Sequence, residues 1–163
     1  MVVGIVTARN AEFYSVDIRA YSAGVLSVLE FEGATKRNRP DLRVGATIYC
    51  RVSRLSPHLQ PELSCVSPFH KKSWSSGEAF FGELDGGLLL QVSKGMQARL
   101  LQTNVRALEL LGSVLQFEIT VGMNGRVWVK GDSIRANLVV ANLLRKGEEG
   151  EARLEELAKG VVA

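Results

Sequence analysis

Little in this sequence of 163 residues is suited to bond-making chemistry. It holds two cysteines, Cys50 and Cys65, with no second pair and no histidine cluster beside them. That excludes a disulfide framework and a zinc site, and it fits a reducing compartment. Each cysteine sits in an alternating apolar run, so both are expected as buried strand thiols. The two histidines, His58 and His70, stand in no motif. P-loop, Ser/His/Asp and Cys/His patterns are absent. Asp17, Asp41, Glu62, Glu83 and Asp132 are scattered over unrelated segments, whereas metal-dependent phosphodiester cleavage needs carboxylates gathered around divalent ions. The chain is therefore expected to be no enzyme, with no catalytic residue, metal ligand or cofactor. Long apolar runs are missing too, and the first residues are not a basic-then-apolar leader, so a soluble, intracellular protein with no membrane association is expected.

What the chain does have is a core and a lopsided charge. A hydrophobic share of 46% permits a packed interior. Residues 1–80 carry ten Lys/Arg against seven Asp/Glu, while residues 81–163 carry ten of each, so the net charge of +3 lies wholly in the first half. Within it Lys36, Arg37, Arg39, Arg43, Arg51 and Arg54 face only Asp41. Such a surplus attracts a polyanion such as single-stranded RNA. A solvated loop, or a loop that docks on acidic surfaces of a partner protein, accounts for the same residues.

Five short apolar or alternating runs, Val2–Ala8, Glu12–Ile18, Gly24–Phe31, Thr47–Arg54 and Glu62–Val66, read as strands. The long basic connection GATKRNRPDLRVG between the third and fourth suits a five-stranded OB-fold barrel over residues 1–68, with an SH3-like barrel as the alternative. Alternation puts Tyr14, Val16 and Ile18, and likewise Ile48, Cys50 and Val52, toward the core. Phe13, Tyr49 and Arg51 then face outward, either as rings and a guanidinium placed to stack on bases or as ordinary exposed side chains without a function. The polar stretch SPFHKKSWSSG, residues 67–77, reads as the domain boundary. Its Lys71 and Lys72 either extend the basic surface or are ordinary linker lysines.

After the boundary the pattern becomes mixed α+β over residues 77–160. Glu78–Leu84 and Leu88–Val92 flank the turn Asp85-Gly86-Gly87 as two strands. Helices are expected from Ser93 to Leu101 and from Asn104 to Leu111, and strands at Leu115–Val121 and Arg126–Lys130. A third helix, capped by Asp132 or Ser133 and ended by Gly147, turns Ile134, Leu138, Ala141 and Leu144 inward. From Glu148 a charged helix follows, with Glu149/Arg153 and Glu155/Lys159 at i,i+4 spacing.

The order of these elements suits a KH-type domain, and Gly122-Met123-Asn124-Gly125 spells the Gly-x-x-Gly of an RNA-clamping KH loop. In that loop the motif joins two helices, whose amides meet the phosphates. Here it joins two strands. Asn124-Gly125 suits a type I′ hairpin turn, and the helix junction reads Leu101-Gln102-Thr103-Asn104 without a glycine. Gly122, Asn124 and Gly125 are thus expected to be structural, and Trp128 to be a packing residue.

Three segments, FEGATKRNRP (31–40), PELSCV (61–66) and GMNGRVWVK (122–130), in this order and spacing, closely resemble the eukaryotic RNA exosome cap subunits of the ribosomal-RNA-processing protein 40 family. The resemblance runs from residue 4 to about residue 145. It implies an OB barrel of the S-one type followed by a KH domain, in a non-catalytic cap on a ring of RNase-PH-like subunits beside other cap subunits. It further implies RNA guided to a 3′-to-5′ exoribonuclease, in the nucleus and nucleolus and also in the cytoplasm. In that family the element matched by Gly122, Asn124 and Gly125 looks structural, near the junction of the two domains. Members carry a further domain before the barrel that helps dock the cap; this chain begins within the first barrel strand, a departure that leaves docking on the ring open, truncation being one reading of it, while both later domains are expected intact.

Overall fold

The computed structural model describes residues 1–162, and the chain divides after Asp85 into two compact units, each with its own core. The first unit is built from β1 (Val2–Arg9), β2 (Phe13–Asp17), β3 (Gly24–Phe31), β4 (Thr47–Arg54), β5 (Glu62–Cys65) and the two-residue β6 (Gly82–Glu83). Strand order is β1-β2-β3-β5-β4, and β1 pairs β4 to close the barrel. The pairing of β3 with β5 is parallel and every other pairing is antiparallel. This is the five-stranded OB barrel expected from the long third connection. Alternation does the sorting: Tyr14, Val16, Leu26, Val28, Ile48, Cys50, Leu63 and Cys65 fill the interior. Val52 does not join them and stays exposed, because β4 has run past the barrel's closed part.

The boundary differs from the compositional reading. Residues 67–77 lie within the first unit, which runs on to Asp85. Of the strand expected at Glu78–Leu84 only Gly82–Glu83 forms, and it pairs β4 of the barrel. Asp85-Gly86-Gly87 consequently links strands of two separate sheets and is no hairpin turn. Phe81 explains the choice: it sinks into the barrel's core at 4% exposure, which ties the following residues to that sheet.

The second unit holds β7 (Leu88–Gln91), α1 (Lys94–Leu100), α2 (Arg106–Gly112), β8 (Phe117–Val121), β9 (Arg126–Gly131), α3 (Ile134–Lys146) and α4 (Glu151–Val162). Its antiparallel sheet has the order β7-β9-β8, and the arrangement is that of a KH-type domain. Ser93 caps α1 by accepting from the Met96 amide at 3.1 Å, and Ser133 caps α3 by accepting from the Ala136 amide at 3.2 Å. Asn104 lies outside α2 with φ +67°, so the helix starts two residues later than expected. On α3 the buried set is Ala136, Val140, Ala141, Leu143 and Leu144, while Ile134 and Leu138 are exposed. Apolar residues occur nearly all round this helix, and the small Ala136 lets it approach β9 closely. A Cβ at Gly131 of β9 would come within 2.9 Å of the Ala136 Cβ. On α4, Arg153 pairs with Glu156 at 2.8 Å, an i,i+3 pair in place of the i,i+4 pair with Glu149.

Candidate nucleic-acid interface

The outward positions of β2 and β4 do meet on one face. Phe13 and Arg51 line a common groove of about 580 Å³, with Ser27 of β3, Ser53 of β4 and Leu59 and Gln60 of the β4–β5 loop. Phe13 is 41% exposed, as a ring free to stack must be. Arg51 donates from Nε to the Val66 carbonyl at 2.9 Å, which holds the guanidinium in place. The Tyr21 hydroxyl lies 2.7 Å from the Leu59 carbonyl and 3.1 Å from that of Ser56, bracing the loop at the groove's edge. Glu30 and Glu62 line the groove as well. Two carboxylates beside one guanidinium make a poor phosphate trough, so this face suits stacking and hydrogen bonds to bases better than charge neutralisation. Alternation reached Phe13 and Arg51; Ser27, Gln60 and Tyr21 carry no sequence signal, because only the closed barrel brings β3 and the β4–β5 loop beside them.

Tyr49, also expected outside, is used for packing. Its ring lies 5.2 Å from that of Phe81 and 5.9 Å from that of Phe80, so the β6 segment covers the side that alternation left open. Burial, and after it Cys50, raises the Tyr49 pKa. Burial likewise pushes the Cys50 thiol up to about 12 and the Cys65 thiol well above its ordinary value, so neither is a nucleophile near neutral pH.

The basic residues lie elsewhere on the barrel. Lys36, Arg37, Arg39 and Arg43 are all exposed on the β3–β4 connection, and none lines the groove of Phe13. The connection is pinned from below. Tyr14 donates its hydroxyl to the Pro40 carbonyl at 2.6 Å and accepts from the Leu42 amide at 3.3 Å. Arg9 pairs with Asp41 at 2.5 Å and donates to the Leu42 carbonyl at 2.9 Å. Arg39 donates to the Ala11 carbonyl at 2.9 Å, which leaves Lys36, Arg37 and Arg43 as the unrestrained charges of the connection. Lys71 donates to the Ser67 carbonyl at 3.3 Å and lies 3.8 Å from Glu32, and Lys72 pairs with Glu78. Both lysines thus have local partners, although exposed pairs of this kind contribute little to stability.

In the second unit, Gly122–Gly125 turns the chain between β8 and β9 as expected, but by another turn type. Gly125 has φ +77°, whereas Asn124 does not take the positive φ that a type I′ turn demands. Gly122 donates to the Arg126 carbonyl at 2.8 Å and Gly125 to the Gly122 carbonyl at 3.2 Å. This is a three-residue loop with glycine at the left-handed position of a G1 bulge. Trp128 is 4% exposed and donates from Nε1 to the Gly86 carbonyl at 2.8 Å. Its seat needs Gly87, where φ is +72° and an added Cβ would lie 2.9 Å from the indole nitrogen. Among the described residues no three His, Cys, Asp or Glu side chains gather as a metal-ligating group, and no helix is long and apolar enough to cross a membrane.

Comparison with known proteins matches both units. The family model described as exosome complex component RRP40, S1 domain, matches residues 1–77, and a KH domain model matches residues 87–135. An exosome complex component RRP40 of Homo sapiens is 37% identical over 147 residues, covering 90% of this chain and 52% of that protein. A candidate exosome component rrp40 of Dictyostelium discoideum is 40% identical over 144 residues, covering 88% of this chain and 58% of that protein. The chain thus spans a little over half the length of these relatives. A crystal structure of a candidate exosome complex RNA-binding protein shares the fold, with a TM-score of 0.72 over 98% of this chain and 91% of that one, at 18% identity.

Proposed function

This chain belongs to the RRP40 family of exosome complex components, and from that premise we propose that it is a non-catalytic RNA-binding cap subunit of the RNA exosome. In this reading it holds single-stranded RNA on its way to the 3′-to-5′ exoribonuclease of the complex, for RNA processing and decay. Its partners are RNase-PH-like ring subunits and the other cap subunits, and its places are the nucleus, the nucleolus and the cytoplasm. One observation carries the RNA reading: Phe13 and Arg51, on different strands, share one open groove of an OB barrel. The two surfaces divide the work. The groove stacks bases, and the exposed Lys36 and Arg37 with Arg39 meet phosphates without regard to sequence.

The test is fluorescence anisotropy with two unrelated single-stranded RNAs at several salt concentrations. Phe13→Ala is expected to weaken binding of both RNAs by about 1–3 kcal/mol, the contribution of one stacked base. Replacing Lys36, Arg37 and Arg39 by Ala is expected to weaken both equally and to flatten the plot of log affinity against log salt by about 0.7 for each phosphate no longer neutralised. Unchanged RNA binding in the triple variant, together with loss of binding to purified ring subunits, makes the loop a protein-docking element instead. Cleavage of labelled RNA with divalent metal that persists through further purification overturns the non-catalytic reading.

A further inference from the structure

The barrel carries a second concavity, of about 450 Å³, whose chemistry is opposite to that of the basic loop. Phe31, Trp74, Phe80 and Phe81 supply its walls, and Asp41, Glu83 and Asp85 are its charged lining residues. Among the described residues no lysine or arginine lines it. Asp41 is occupied by Arg9 at 2.5 Å, whereas Glu83 and Asp85 are exposed and pair with no cation among the described residues. Aromatic faces attract a cation through their quadrupole, and carboxylates supply the matching charge and the hydrogen-bond acceptors. Phosphate is repelled by the same set, so the pocket does not continue the RNA surface.

We propose that this pocket receives an arginine side chain presented by an extended segment of a partner protein. Arginine is favoured over lysine because its planar guanidinium stacks on rings while its edge pairs with a carboxylate. The extended segment follows from β6: Gly82 and Glu83 form the last strand of the sheet order, and they line the pocket themselves. A peptide running along that edge finds backbone groups to pair with while its side chain enters the pocket. The site is independent of the RNA reading, since none of the residues proposed there to touch RNA lines this pocket.

The experiment is amide and indole NMR on the whole chain, titrated with acetyl-Gly-Arg-Gly-amide and with the same peptide carrying citrulline, which keeps the shape and removes the charge. Trp74 and Trp128 are the two tryptophans, so the Trp74 indole reports the pocket and the Trp128 indole is the internal control. The arginine peptide is expected to shift the Trp74 indole and the Gly82, Glu83 and Leu84 amides and to leave Trp128 unmoved. The citrulline peptide, and the double variant Glu83→Gln/Asp85→Asn with the arginine peptide, are each expected to bind at least about tenfold more weakly. The variant's amide dispersion checks its fold, and the citrulline comparison needs no variant. Equal binding of both peptides overturns the proposal, as does the absence of any shift at millimolar arginine peptide. Displacement of the peptide by a single-stranded RNA assigns the pocket to nucleic acid and overturns it as well.

Discussion

Two residues of the β8–β9 hairpin test what the Gly-x-x-Gly is for. Gly125 holds φ +77°, a conformation that a β-branched residue enters only under strain. Gly125→Val is expected to lower stability by about 1–3 kcal/mol and to leave RNA affinity per folded molecule unchanged. Trp128 is enclosed and hydrogen-bonded, so Trp128→Ala is expected to cost about 3–5 kcal/mol. Denaturant unfolding read beside RNA anisotropy checks both. A Gly125→Val protein of parental stability that no longer binds RNA would return the motif to phosphate clamping. The turn between two strands was legible in the residues, because Asn-Gly between two strand patterns is turn chemistry. The turn type was not, since glycine at the second position serves both a type I′ turn and a G1 bulge, and the register of β8 on β9 chooses between them.

At the scale of elements, the basic connection is shaped by the strand beneath it. Tyr14 faces the core like its neighbours on β2, yet its hydroxyl bridges the buried Pro40 carbonyl and Leu42 amide. Tyr14→Phe removes one group and strands two, so it is expected to cost about 1–3 kcal/mol, with faster hydrogen exchange at the Leu42 amide than elsewhere in the barrel. Alternation placed Tyr14 inward correctly but could not show that a loop 26 positions later rests on its oxygen. The same limit decided Tyr49. It shares an outward face with Arg51, yet β6 and Phe81 cover it while Arg51 stays at the groove. On α3 the apolar residues spread too widely for periodicity to pick a face, and packing on β9 picked Ala136, Val140 and Leu144 over Ile134 and Leu138.

At the scale of the molecule, the boundary governs which pieces stand alone. Composition ends the barrel domain at residue 68, but Phe81 fills part of its core and β6 extends its sheet. A fragment of residues 1–85 is expected to unfold cooperatively on heating. A fragment of residues 1–68 is expected to melt lower or not to fold, since losing a buried phenylalanine alone costs about 3–5 kcal/mol. Circular dichroism melts of the two fragments, compared with Phe81→Ala in the longer one, check this. Equal melting of both fragments would make residues 69–85 a linker after all.

The sequence by itself determined the elements and their kinds. Period-2 runs separated by turn residues can only pair as short strands, and serine before an amphipathic run starts a helix, because these preferences act within a few residues. The barrel, the mixed second unit and the outward-facing Phe13 and Arg51 follow from that local physics. Tertiary structure decided what depends on which distant segment arrives. It chose the sheet that takes Gly82–Glu83, the ring that covers Tyr49, the carbonyls that hold Arg9, Arg39 and Lys71, and the convergence of Glu83 and Asp85 on Phe31 and Trp74. The physical reason is that burial and hydrogen bonding are satisfied over the whole fold at once, so a side chain's surroundings are set by segments that its own neighbours in the chain do not encode.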